Sequence, residues 1–224
     1  MAAAGDLPLL SVVIATLNRD KPLRNTLRYF FEVETYPRFE IIVIDQSTRH
    51  EPETLEFLAA WATKMTYVKT QYQNLPRARN NGARLAQGEI VVYVDDDVEP
   101  GVGFLSGHAE PYSDPGVLGV TGPAPIPGQP LIGREEIGEE VWAALMAQQQ
   151  MRFDVSFAFS AQWAVGCNMS FRRQLIADLG GFDENFVGPA GDDAVLASRS
   201  PSGRYPIHAG GPPRSSESTG RWSS

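Results

Sequence analysis

The chain has 224 residues, a formal net charge of −8 and a single cysteine, Cys167. This length suits one α/β domain with a real core, and 42% hydrophobic and 21% charged residues are ordinary for a globular protein. The acidic balance argues against nucleic acid as a partner. The lone cysteine excludes an internal disulfide and a cysteine-rich zinc site, and it fits a reducing compartment.

The N-terminal MAAAGDLPLLSVVIA has no basic leader region, and its apolar run is too short to span a bilayer. A cytoplasmic location without a transmembrane segment is expected, peripheral at the inner membrane face at most. Leu9–Ala15 reads as a strand. Pro22 then opens a helix in which Leu23, Leu27, Phe30 and Phe31 recur at helical spacing. Phe39–Asp45 is a second buried strand, Pro52–Ala62 a helix, Thr66–Thr70 a weaker strand and Pro76–Ala86 an Arg-rich helix. This alternation predicts a mostly parallel sheet with helices on both faces. Between Gly101 and Gly133 glycine and proline become dense, which reads as loop or linker. Glu135–Gln150 is a predicted helix with Ile137, Val141, Leu145 and Met146 on one side. Trp163–Phe171 resembles a buried strand pair or bend, and Arg172–Leu179 a short helix stopped by Gly180–Gly181. From Ser198 the composition turns to Ser, Pro, Gly and Arg, and a disordered tail over 198–224 is expected after a domain over 7–197.

The sharpest feature is EIVVYVDDDVEP, residues 89–100. A short Val/Ile-rich run stops at Asp95, Asp96 and Asp97. Adjacent carboxylates repel, a divalent cation relieves that, and hard oxygen ligands suit Mg²⁺ or Mn²⁺. Open α/β sheets bind ligands beyond the carboxyl ends of their strands. The bland alternative is a solvated acidic turn. Four further clusters sit at predicted strand or helix ends. Thr16, Asn18 and Arg19 follow the first strand, suited to a base or ribose and a phosphate, or simply to a capping turn. No Gly-rich loop follows that strand, against a P-loop or a dinucleotide fingerprint. Asp45 ends the second strand, a possible acceptor for a base or ribose or an Asx-turn. Arg77 and Arg79, with Asn80, face either a diphosphate or solvent. Asp192 and Asp193 offer a general base or a helix cap.

In order along the chain, SVVIATLNR, FEIIVIDQST, LPRARNNGARLAQGEIVVYVDDDVEP, VGCNMSFRR and GGFDENFVGPAGDD resemble the family 2 glycosyltransferases, over about Leu9 to Leu196. The resemblance implies a GT-A fold, a Rossmann-like nucleotide-binding core. It also implies a UDP-, GDP- or dTDP-sugar donor, Mn²⁺ or Mg²⁺, a saccharide or lipid-linked acceptor, and transfer with inversion. By residue, it implies nucleoside contacts from Thr16, Asn18, Arg19 and Asp45, and an Asp-x-Asp element on Asp95 and Asp97. Asp97 would ligate the metal and Asp95 would lie nearer the ribose. Asp193 is the best match for the acceptor-activating base, although the family's pair is Glu-Asp and this chain has Asp192-Asp193. The family usually continues with ordered helices and a strand, whereas here SRSPSGRYPIHAGG follows at once, like a truncated or frame-shifted tail.

Two other classes compete. A receiver-like phosphoacceptor domain would need earlier strand-end carboxylates and a late lysine, and no lysine lies beyond Lys69. A catalytically impaired nucleotide-binding remnant would keep Asp95–Asp97 without turnover.

Overall fold

The computed structural model describes residues 7–123, 132–147, 160–161, 164–186 and 207–209. Four strands build the first half of the sheet: β1 (Leu10–Thr16), β2 (Phe39–Asp45), β3 (Thr66–Lys69) and β4 (Ile90–Asp95). Between them run α1 (Asp20–Arg28), α2 (Pro52–Ala60) and α3 (Leu75–Leu85), and α1 continues into a π-helical turn, Tyr29–Val33. The second half holds α4 (Phe104–Ala109), β5 (Gly119–Thr121), α5 (Arg134–Ile137), α6 (Glu139–Ala147), β6 (Ser160–Ala161), β7 (Asn168–Arg172), α7 (Arg173–Asp178) and β8 (Ile207–Ala209).

Among the described residues one sheet runs in the order β3-β2-β1-β4-β7-β5-β8-β6. The pairs among β1 to β4 are parallel, as is β5 with β8. β7 is antiparallel to both its neighbours, and β6 to β8. The α/β class with a mixed, largely parallel sheet therefore stands. Both faces of β1, β2 and β4 are buried, which explains why they read as continuous apolar runs instead of alternating ones. Successive side chains go to opposite faces. Val12 and Ile14 pack with Leu23 and Leu27 of α1, whereas Val13 packs with Ala78 of α3, Tyr93 and Phe182. A Cβ at Gly82 would stand 2.2 Å from Val13 Cγ1, so α3 lies on β1 only because that position has no side chain. Asn74 caps α3, its side chain accepting from Arg77 N at 2.8 Å.

Three expectations differ from the fold. The Gly/Pro-dense stretch contains α4 and β5, because Leu105, His108, Val117 and Val120 give it buried positions that composition hides. The helix expected over Glu135–Gln150 breaks at Gly138, φ +77°, into α5 and α6, and Val141 is exposed. Within the stretch expected to be disordered, residues 207–209 form β8, with Val120 opposite His208. A free sheet edge offers backbone partners to a segment that has no apolar period of its own.

Candidate functional site

Register assembles the site. Thr16 pairs with Asp45 and Ala15 with Asp95, so the carboxyl ends of β1, β2 and β4 finish level. The chain leaves β1 toward β2 and β3, then returns to β4 on the other side of β1. The loops after β1 and β4 thus flank a crevice at the point where the winding reverses, the usual ligand position in open α/β sheets.

The three aspartates after β4 have different surroundings. Asp95 keeps 40% of its side chain exposed and takes an ion pair from Arg79 at 3.3 Å. Shelter from water holds its carboxyl above the ordinary range, opposed by Arg79 and reinforced by Asp97. Asp96 is buried. It accepts from Thr16 Oγ1 at 2.6 Å and pairs with Arg19 at 3.2 Å, while its carbonyl accepts from Thr26 Oγ1 at 3.0 Å. Burial raises its carboxyl as well. Asp97 is half exposed and its partner is Arg19. Asp96, expected with Asp95 among the nucleotide-sugar contacts, ties the β1 and β4 loops together from inside. The Arg19 guanidinium bridges Asp96 and Asp97, which together raise its pKa further.

Asn18 adopts φ +56°, a left-handed conformation that Asn tolerates better than most residues. Its amide donates to Ser47 Oγ at 2.7 Å and its Oδ1 accepts from Thr48 N at 3.2 Å, joining the loops after β1 and β2. Asp45 is fully buried. One oxygen accepts from Ser47 N at 2.7 Å. The other meets His50 Nε2 at 2.6 Å, Lys69 Nζ at 2.8 Å and the Tyr67 hydroxyl. Burial alone would raise this carboxyl, but those four donors overcome it and hold the group well below the ordinary carboxylate range. His50 Nδ1 faces Asp20 Oδ1 at 2.8 Å. Asp45, expected among the nucleoside contacts, is the anchor of this cluster, with half-exposed Lys69 at its rim.

Arg79, expected beside a diphosphate or solvent, is buried, donates to the Gly166 carbonyl at 3.0 Å and lies over the Phe182 ring. It positions Asp95. Arg77 stays half exposed, stacked 4.2 Å from the Tyr72 ring centroid and 3.9 Å from Glu184. Asn80 is the pin between α3 and the GGFDE turn. It donates to the Phe182 carbonyl and to Glu184 Oε1, both at 2.9 Å, and accepts from Phe182 N at 2.8 Å. Asp192 and Asp193 lie outside the described residues.

Sequence reasoning missed His50, Tyr67 and Lys69. Tyr67 and Lys69 alternate on β3 and so share one face, and His50 is within one loop of Asp45; both are readable signals. It also missed His108, whose Nδ1 meets Ser170 Oγ at 2.9 Å and whose Nε2 meets Asn168 Oδ1 at 2.8 Å. Asn168 Nδ2 donates to the Pro123 carbonyl at 2.9 Å, which ties β7 to the chain after β5.

Among the described residues no group of three His, Cys, Asp or Glu side chains is arranged to hold a metal ion. Asp95 and Asp97 nevertheless supply hard, half-exposed carboxylates at the crevice. This donor set fits an ion that takes one or two carboxylates and completes its shell with water and substrate phosphate, as Mg²⁺ and similar ions do.

Fold and site together define a GT-A-type α/β domain. The chain belongs to glycosyl transferase family 2, whose model matches residues 11–180. It is 30% identical over 239 aligned positions to validoxylamine A glucosyltransferase of Streptomyces hygroscopicus subsp. limoneus, covering 94% of this chain and 50% of that protein. It is 23% identical to the glucosyl-dolichyl phosphate glucuronosyltransferase of Haloferax volcanii, covering 86% and 61%. Among solved structures it resembles a mannosyltransferase of Pyrobaculum calidifontis in complex with GDP-Man and Mn²⁺. The TM-score is 0.65 at 24% identity, over 91% of this chain and 55% of that one. GalNAc-T7 with UDP, GalNAc and Mn²⁺ gives 0.66 at 20% identity, over 87% and 40%. The chain thus spans about half the length of the first relatives it matches. Among the described residues no helix is long and apolar enough to cross a membrane.

Proposed function

We propose that this chain carries the donor-binding domain of an inverting, metal-dependent glycosyltransferase. It takes a UDP-, GDP- or dTDP-sugar and transfers the sugar to a hydroxyl of a saccharide or lipid-linked acceptor. The reaction takes place in the cytoplasm, at the inner membrane face where the acceptor is lipid-linked. The observation that carries the reading is the register that sets Thr16, Asp45 and Asp95 level beside the crevice. The solved relatives bound to GDP-Man or UDP with Mn²⁺ support it.

Asp45 with His50, Tyr67 and Lys69 builds the floor of the nucleoside pocket, and the Asn18–Thr48 bridge shapes its rim. Asp97 and Asp95 would hold Mn²⁺ or Mg²⁺, which when bound neutralises the departing diphosphate. Arg19 and Arg77 are exposed cations that this reading gives to the phosphates. Asp193 takes the proton from the attacking acceptor hydroxyl, with Asp192 beside it.

Calorimetry with UDP, GDP and dTDP, with and without Mn²⁺ and after chelation, tests the reading. At least one nucleotide is expected to bind with metal and to weaken in chelator. Equal affinity with and without metal for all three sinks it. Asp97→Asn is expected to remove most of the metal effect. Asp193→Asn is expected to leave nucleotide affinity intact while abolishing transfer.

A further inference from the structure

Arg19 makes two contacts with the acidic end of β4. Its Nη1 lies 3.2 Å from Asp96 Oδ1 and also contacts Asp97 Oδ2, although 52% of the side chain remains exposed. Asp96 is not free to follow Arg19 outward. Thr16 holds its carboxylate at 2.6 Å, and Thr26 holds its carbonyl. Asp97 has no such internal anchor: its paired oxygen belongs to a half-exposed carboxylate that, among the described residues, is held by Arg19. One cation therefore neutralises the exposed carboxylate that the proposed function gives to a metal. Arg19 also follows Asn18, whose backbone amide joins the loops after β1 and β2.

We infer that Arg19 is an exchangeable counter-ion. It holds Asp97 until a divalent cation takes that carboxylate, and it then turns to the donor diphosphate while Asp96 stays in place. This rests on the reading of Asp95–Asp97 as the metal site. It adds a consequence with opposite signs. Arg19 opposes metal binding to the empty protein, because two cations cannot share one carboxylate without repulsion. It favours nucleotide binding to the metal-loaded protein, because the freed guanidinium pairs with phosphate. No covalent chemistry is involved.

The test compares wild type with Arg19→Gln and Arg19→Lys, using the full chain, Mn²⁺ alone and then UDP, GDP or dTDP with saturating Mn²⁺. Free Mn²⁺ is counted by electron paramagnetic resonance and nucleotide affinity by calorimetry. Arg19→Gln is expected to bind Mn²⁺ alone about fivefold more tightly, the size of a lost partly exposed ion pair. It is expected to bind nucleotide with Mn²⁺ about tenfold more weakly, as befits a lost charge-assisted contact. Arg19→Lys keeps the charge and is expected to fall between the two on both axes, which separates exchange from a general loss of folding. If wild type binds neither Mn²⁺ nor nucleotide with Mn²⁺, the metal-site reading is wrong and this inference falls with it. If wild type binds both but Arg19→Gln binds Mn²⁺ alone equally or less well, the exchange is refuted and the metal site stands.

Discussion

The two halves of the sheet are stabilised differently. β1, β2 and β4 are six or seven residues long, parallel and apolar on both faces. β5, β6 and β8 have two or three residues each, and β7 has five. In the first half long apolar strands supply most of the buried surface, and buried polar clusters such as that around Asp45 join the loops at their ends. In the second half the strands are shorter, β5 and β7 are buried, and polar pins join them to their surroundings: His108 to Ser170 and Asn168, Asn168 to Pro123, Asn80 to Phe182. Polar clusters thus close the strand ends on the donor side and cross between strands and helices on the other.

The largest expected effect breaks the donor-side anchor. Asp45→Ala removes one member of a buried, charged hydrogen-bond cluster and leaves Tyr67 and the Nε2 side of His50 without their acceptor, while Asp20 still holds His50 Nδ1. A loss of about 3 kcal/mol at neutral pH is expected, measured by urea unfolding. The sign of the pH dependence follows from the depressed carboxyl. Its contribution is complete above the unfolded carboxylate range, near pH 4, and fades as pH falls further toward the folded value. The gap between wild type and variant should narrow below about pH 4. A gap that stays constant down to pH 2 would show that the carboxylate's charge is not what matters.

Next is Asn80→Ala, which strips both backbone hydrogen bonds from Phe182 and frees the GGFDE turn. About 2 kcal/mol is expected. The comparison sharpens in the location of the damage: the Gly181 and Phe182 amides should lose hydrogen-exchange protection while those of β1 and β2 keep theirs. Equal loss in both regions would mean that the halves unfold as one.

This division also explains what could be read from the chain. β1, β2 and β4 were legible because buried parallel strands are unbroken apolar runs, and the acidic end of β4 marked the crevice. Asp95, Asp97, Arg19 and Asn18 do gather there. The partners of Asp96 and Arg79 were not legible, because spacing gives the position of a side chain and not what it meets: Thr16 is 80 residues from Asp96, and Gly166 is 87 from Arg79. α4 and β5 were hidden by glycine and proline, and their order depends on His108 and Asn168, whose pairing across 60 residues leaves no local trace.

A smaller effect probes that pin. His108 is fully buried, and burial, only partly countered by Asn168, pushes its pKa down to about 4. The unfolded chain takes up a proton near pH 6.5 that the folded chain refuses until about pH 4. Wild-type stability should therefore be complete above pH 6.5 and decline as pH falls through that window. His108→Gln is expected to cost about 1 kcal/mol at pH 7, its amide replacing part of the bridge. It should also flatten the decline between pH 6.5 and 4. Parallel stability curves for the two proteins in that window would rule out His108 as the titrating group.

The smallest expected change tests whether the donor side's loops matter to stability at all. Asn18 sits at φ +56°, where a side chain is strained, and its Oδ1 accepts from Thr48 N at 3.2 Å near the surface. Asn18→Gly relieves the first and removes the second. The flexible unfolded glycine adds an opposing entropic cost of about 0.5–1 kcal/mol. These contributions nearly cancel, so the melting midpoint should move by no more than about 0.5 kcal/mol equivalent in either direction. Asn18→Ala keeps the strain and loses the bond, and it should cost about 1 kcal/mol. Nucleotide affinity should instead fall in both variants, because the bridge between the loops after β1 and β2 shapes the pocket rim. A Gly variant with unchanged affinity would show that the Ser47 contact to the backbone suffices to hold the two loops. A Gly variant destabilised as much as Ala would show that the side-chain bond, not the backbone conformation, dominates at this position.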